Sequence, residues 1–536
     1  MFIFSPPRLL NPVVCRLGGV VIALGLLAGG TLPALAKDVL LQVGVVQRFG
    51  DENKDQLTVS GVGGDLLTFE TVDSQGKPLK LQAKQAAIAI QQKPTPSPEL
   101  AEVLILSDHA TFETAEDSAL EWQAKGIAAE VTQPGRWQVW AKRDVYDSPL
   151  VRRWLLNDLK RQGYEFPYLE STVLTSKPQA VLILNGQTYP SPQLKITSPK
   201  GQIQVSVDKK SLTYGGWLKL QPNAYGNYTL VNHVPLETYL RGVVPHEIGP
   251  NAPPNAAKAQ TIIARTYALR NRRRFAADNY ELCATTHCQV YYGLSEISAK
   301  ADTAINETTG QVLTYDNQLV DALYSSTTGG VTAKFSDVWN GDERPYLQAV
   351  IDSAAPIWDL SSKSLENEGA FRQFIALKDG FNETGRQYLR WRYPATLEQL
   401  NQDLKTYLSK HRHPLANFTT IYDMKVTRRS PSGRILMMEV LTDKGVVELL
   451  KNEARSAFSA PRSTLFYLEP TYDANKRLTN VMFVGGGFGH GVGMSQFGSY
   501  QLSKLGWSAE KILAFYYPGT QIRPLNEQIL SNKPSR

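Results

Sequence analysis

The sequence predicts a multi-domain α+β protein in which helices mix with antiparallel strands. Three observations carry this. At 536 residues the chain exceeds what one ordinary core accommodates, so two or three domains are expected. Alternating apolar positions such as Leu41-Val43-Val45 and Leu57-Val59, separated by Gly and Asp turns, have the period of half-buried strands. Apolar residues at helical spacing recur at Val151, Leu155, Leu156 and Leu159, and again from Leu236 to Leu269.

Along the chain, the first expected element is not part of the fold. Arg8 and Arg16 precede an apolar run from Leu17 to Ala28, and Ala34-Leu35-Ala36 closes the stretch, so residues 1–36 read as a secretory signal peptide cut after Ala36. The alternative, a retained anchor, is opposed by Pro33 and the shortness of the run. No later segment is apolar enough to span a bilayer, so the expected location is outside the cytoplasm, in periplasm or cell wall. Cleavage removes two of 57 basic residues, leaving 55 against 50 acidic ones, a net +5. That balance describes a soluble protein and gives no reason to expect nucleic acid as a partner.

Residues 37–98 read as a β-rich region ending in the Pro/Ser-rich stretch Gln91 to Pro98, a loop or linker. Residues 99–190 read as a small α+β module. Trp137-Gln138-Val139-Trp140 is a strand, Ser148 caps a helix that Gly163 stops, and strands follow at Ser171 to Thr175 and Ala180 to Asn185. Strands continue from Ser191 to about Val231, helices from Pro235 to Arg274, and mixed structure to Pro524. Within it, residues 358–470 look like an insertion with no chemical signal. Residues 525–536 read as a polar, frayed tail.

The chemistry concentrates in Val231 to Arg274. A short amphipathic helix ends near Pro245, His246-Glu247 sit in a break, and Pro253-Pro254 open a second helix ending in Arg270, Arg272, Arg273 and Arg274. A carboxylate in such a break can face a cleft; on spacing alone the simpler reading is a group that caps the next helix. The glycine-rich Gly487 to Gly498 lacks the lysine of a phosphate loop, and Phe497 breaks the nucleophile-elbow pattern. Only Cys283 and Cys288 follow the signal segment. With His287 between them, a disulfide, a metal site or free thiols remain open, and zinc would need a fourth ligand.

Four ordered blocks resemble the SpoIID/LytB (stage II sporulation protein D) family. They are VNHVPLETYLRGVVPHEI with KAQTIIARTYAL; Cys283 to Tyr291; Tyr324 to Thr332 with Trp339; and Gly487 to Gly498, which follows the family's GyGHGVGMSQyGA closely. Ile248 replaces a usual methionine, and His246 stands where a small residue is common. The resemblance spans about residues 191–524. It implies a peptidoglycan lytic transglycosylase acting around a glycan-binding cleft, on strands stripped of peptides. It implies Glu247 as the catalytic acid, and Arg265, Tyr267, Ser325, Ser326, His490, Ser495 and Gln496 as substrate-binding candidates. Some relatives bind a structural zinc near Cys283, His287 and Cys288; no cofactor is otherwise required. Other members are enhancers of wall amidases, so a non-catalytic, amidase-partnered binding protein is the second reading. A hydrolytic muramidase, with a second carboxylate from Asp321, Asp337 or Asp342, is the third. The module at 99–190 resembles a SPOR domain, which binds peptide-free glycan.

Overall fold

The computed structural model describes residues 39–51, 56–73 and 75–531. The expected signal peptide lies outside them. The architecture is α+β, built on antiparallel sheets. One seven-stranded sheet runs, in spatial order, through Leu282–Cys283, Leu40–Phe49, Tyr228–Pro235, Trp217–Pro222, Leu194–Thr197, Leu67–Val72 and Pro78–Ala83. Leu41 and Val43 point inward, as the two-residue period requires. Strands from before residue 84 thus pair with strands from after residue 190. The expected boundaries near 98 and 190 do not separate folding units, because strand pairing is non-local and leaves no mark in local composition.

The Pro/Ser-rich stretch is a correction. Residues 91–98 are not a linker but the middle of a long strand, Gln85–His109, paired with Tyr168–Leu184. Prolines survive there because the ribbon is solvent-exposed and its register shifts between Pro94 and Glu99. At its far end this ribbon carries the small module. The order is strand, helix Phe112–Ala124, strand Ala129–Thr132, strand Trp137–Ala141, helix Pro149–Arg161, strand. The spatial strand order is fourth, first, third, second. This βαββαβ arrangement is the ferredoxin-like split. Ser148 caps its second helix through the Val151 N–H, as its position in the sequence predicts.

Helix Pro254–Arg270 runs through the centre and is buried on almost every side. Its Ala-rich sequence lets helices Ala299–Glu307, Gln496–Lys504 and Ala509–Tyr516 approach closely. The region 358–470 folds rather than loops. Trp391–Thr396, Leu397–Lys410, Ile421–Arg429 and Ile435–Thr442 close a separate apolar core with Phe466 and Phe483. The tail differs from expectation too: Leu525 donates its N–H to the Gly310 carbonyl at 2.7 Å, and helix Glu527–Ser531 buries Ile529. Among the described residues no helix is long and apolar enough to cross a membrane.

Candidate active site

Glu247 ends the short helix Val244–Glu247, which Pro245 starts and Gly249, at φ 88°, leaves. Its carboxyl faces a cleft of about 360 Å³. Each of the other three motif blocks sends one hydrogen-bonding group to this residue. The Val290 N–H donates to Oε1 at 2.7 Å. The Tyr324 hydroxyl bonds the carboxyl. Gln496 Nε2 donates to the Glu247 carbonyl at 2.8 Å. Tyr324 is itself oriented by Gln289, whose Nε2 donates to its hydroxyl at 3.0 Å, and Gln289 accepts from Tyr239 at 3.3 Å.

Burial raises the Glu247 pKa above the usual carboxylate value, against the lowering pull of Val290, Tyr324 and Gln496. Enclosure in the cleft therefore outweighs those hydrogen bonds and shifts the group toward its protonated form.

The strand pairing explains how distant blocks meet. Tyr324–Ser325 lies parallel to Met494–Ser495, and bridges join Thr327 to Phe488 and Ala333 to Val492. The remaining predicted residues divide. Tyr267, His287, Cys288, Ser325, Ser326, His490 and Gln496 line the cleft. Arg265 does not: its buried guanidinium grips Glu237 through two bonds of 2.8 and 2.7 Å and the Gln311 carbonyl at 3.0 Å. Ser495 is also turned away, capping helix Gln496–Lys504 and donating to Glu383 at 2.6 Å. His490 lines the cleft with both ring nitrogens committed. One accepts from the Val492 N–H at 3.0 Å and the other bonds the Tyr324 backbone. Burial, with Arg455 and Arg434, pushes it down to about 3, so it stays neutral. Cys283 and Cys288 form a disulfide, and among the described residues no three His, Cys, Asp or Glu side chains cluster to hold a metal.

Two polar atoms on the cleft wall have no partner: Ser325 Oγ and Trp339 Nε1. Trp339 leans on His490 with ring centroids 5.0 Å apart. Unmet groups beside an acid are what a bound polar ligand satisfies.

Three further features were missed by sequence reasoning. The first is Glu383, fully buried, which accepts from the N–H groups of Thr328, Gly329 and Gly330 and from Ser495. Burial and the Glu383 charge raise the Asp352 pKa well above the usual carboxylate value. The second is Arg434, whose buried Nη2 holds the Thr328 and Val331 carbonyls at 2.7 and 2.9 Å. Gly491 sits against it at φ 74°, and a Cβ there would lie 2.2 Å from Arg434 Nη2. Gly491→Ala is therefore expected to destabilise by roughly 2–4 kcal/mol, from the left-handed backbone and the overlap together, read by urea unfolding.

The third is Glu113, the other carboxylate on the cleft wall, carried by the βαββαβ module and paired with Arg274. The three aspartates considered for hydrolysis lie elsewhere. Asp321 is clamped by Arg270 and Arg344, Asp337 accepts from Ser432 at 2.6 Å, and Asp342 lines a neighbouring pocket.

Two sequence families match parts of the chain. The sequence model of the family described as "Stage II sporulation protein" matches residues 224–315, and a domain of unknown function (DUF8618) matches 333–493. The chain is 27% identical over 430 residues to a protein of Bacillus subtilis (strain 168) named amidase enhancer. That alignment covers 70% of this chain and 56% of the relative. It is 26% identical over 313 residues to the Stage II sporulation protein D of the same organism, covering 54% of this chain and 75% of that one.

The chain is similar to SpoIID/LytB proteins, with the family's sequence model covering residues 224–315.

The chain thus spans little more than half the length of that amidase enhancer. An uncharacterized protein of Brachyspira hyodysenteriae (strain ATCC 49526 / WA1) is similar as well, 28% identical over 305 residues, 55% of this chain and 69% of that protein.

Proposed function

We propose that the protein is an exported lytic transglycosylase that cuts peptide-free glycan strands, with Glu247 acting first as acid and then as base. The supporting observation is the convergence of Val290, Tyr324 and Gln496 on one enclosed residue, Glu247, whose carboxyl pKa burial raises. Glu247 donates its proton to the glycosidic oxygen as the bond to the muramoyl C1 breaks. The carboxylate left behind takes the proton of the same sugar's C6 hydroxyl, whose oxygen closes onto C1. The product carries a 1,6-anhydro end, no water is consumed, and Glu247 is again protonated. One carboxyl suffices, whereas hydrolases need a pair. Ser325 Oγ and Trp339 Nε1 are unpaired and enclosed beside the acid, and a small adjustment of the cleft would bring them to the sugar's acetamido and hydroxyl groups. The Ala110 to Glu113 wall is consistent with a SPOR-like glycan contact.

A second reading, a non-catalytic enhancer of a wall amidase, is favoured by the name of one relative. The test adds wild type or Glu247→Gln to intact walls with a wall amidase. The enzyme reading expects new glycan ends from wild type alone. Equal stimulation of peptide release by both proteins, with no glycan ends from either, establishes the enhancer instead.

Activity should fall as pH rises through the raised Glu247 pKa, because the acid is lost. The Tyr324 hydroxyl pulls that pKa down. Tyr324→Phe is therefore expected to move the alkaline fall in rate to higher pH, measured as a rate–pH profile. An unmoved profile contradicts the role given to Tyr324.

A further inference from the structure

Next to the Glu247 cleft, the turn from Asn382 to Leu389 and the start of helix Gln496–Lys504 build an aromatic shelf. Phe488 lines the cleft and is 39% exposed, and its ring stacks on Tyr388 with centroids 4.7 Å apart. Across the Ser326–Thr327 backbone, which accepts from the Phe497 and Phe488 N–H groups, lie the rings of Phe497 and Tyr500. The Arg386 guanidinium lies over both, 4.5 Å from one centroid and 5.6 Å from the other. Tyr500 reaches the Ile248 carbonyl, immediately after Glu247. Among the described residues Arg386 makes no ion pair and no side-chain hydrogen bond. Its neighbours Arg390 and Arg434 are tied to backbone carbonyls. The turn is held rigidly, since Glu383 anchors it beneath and Trp391 Nε1 donates to the Gly487 carbonyl at 2.9 Å.

We propose that Arg386, with the Phe488–Tyr388 stack and the Phe497 and Tyr500 rings, is a subsite that reads the free lactyl carboxylate of an N-acetylmuramoyl unit. This rests on the glycan reading above. Aromatic faces suit the C–H faces of sugars, and an uncommitted guanidinium is a carboxylate receptor able to make two parallel bonds. The lactyl group carries a carboxylate only when no stem peptide is attached; with a peptide it becomes a neutral amide. Arg386 thus selects strands on which an amidase has already acted. Arg386, Tyr388 and Phe488 lie within the segment matched by the domain of unknown function, and Phe497 and Tyr500 just after it, so that segment gains a role in substrate selection.

The test measures binding in a Glu247→Gln background, so that it does not depend on cleavage. Two probes are used: amidase-stripped glycan strands, and the same strands with their lactyl carboxyls converted to methylamides. Arg386→Gln is expected to weaken binding to stripped strands roughly tenfold or more, and to leave binding to the amidated strands unchanged. Arg386→Lys is expected to keep part of the preference. Equal weakening toward both probes, in a variant whose thermal unfolding matches the parent, overturns the proposal. So does no weakening toward either. Failure of the cleavage reading shows separately, as an absence of glycan ends from wild type.

Discussion

Glu247→Gln is expected to slow glycan cleavage by about 10²–10⁴-fold, the usual contribution of a positioned general acid, while leaving strand binding intact. Glutamine keeps the shape and still offers Oε1 to the Val290 N–H, so the loss isolates the proton. The same substitution has a consequence for stability with a definite sign. Burial raises the folded-state pKa of Glu247 above its unfolded value. The folded protein therefore binds more protons than the unfolded chain between those two values, and wild-type stability falls as pH rises across that window. Glu247→Gln removes this loss. The variant should match wild type in acid, become more stable than it as pH rises, and hold a constant advantage above the folded pKa. Urea unfolding at several pH values reads this directly. A site that sacrifices stability for a protonated acid is what a catalytic role demands; a mere capping carboxylate would have its pKa lowered and show the opposite sign.

The second large effect is on folding. Glu383→Ala is expected to destabilise the protein by about 3–5 kcal/mol, because it leaves the buried N–H groups of Thr328, Gly329 and Gly330 without an acceptor. Ser495 loses its partner as well. Since these residues adjoin the Tyr324–Ser325 and Met494–Ser495 pair, folded variant protein should also bind glycan poorly. Thermal unfolding and strand binding check the two parts. A variant with unchanged unfolding would remove Glu383 as the organiser of this loop.

Much of the site was legible because its blocks are continuous in sequence. The helix opened by Pro254 and the glycine-rich loop from Gly487 stand where pattern places them, whereas the break falls earlier, at Gly242-Val243, and His246 and Glu247 lie in the short helix Val244–Glu247. What the four blocks share could not be read: that Val290, Tyr324 and Gln496 all reach Glu247 is a matter of contacts across 43 to 249 residues. The same non-locality hid the sheet that joins residues 40–83 to 194–222, and made Gln91 to Pro98 look like a linker. Arg265 and Ser495 sit within motifs and serve the scaffold, since a motif records both what touches substrate and what holds those groups still. Arg386, Glu383 and Arg434 had no local signal at all. They lie in the segment that carried no recognisable chemistry, and only the fold shows them around the cleft.

The central claim is that one carboxyl cuts glycan without water. It is tested most directly by digesting peptide-free strands in ¹⁸O-water with wild type and Glu247→Gln, and weighing the new ends by mass spectrometry. The account predicts 1,6-anhydro ends, free of ¹⁸O, from wild type and none from the variant. Labelled reducing ends, or anhydro ends that persist in Glu247→Gln, would contradict it.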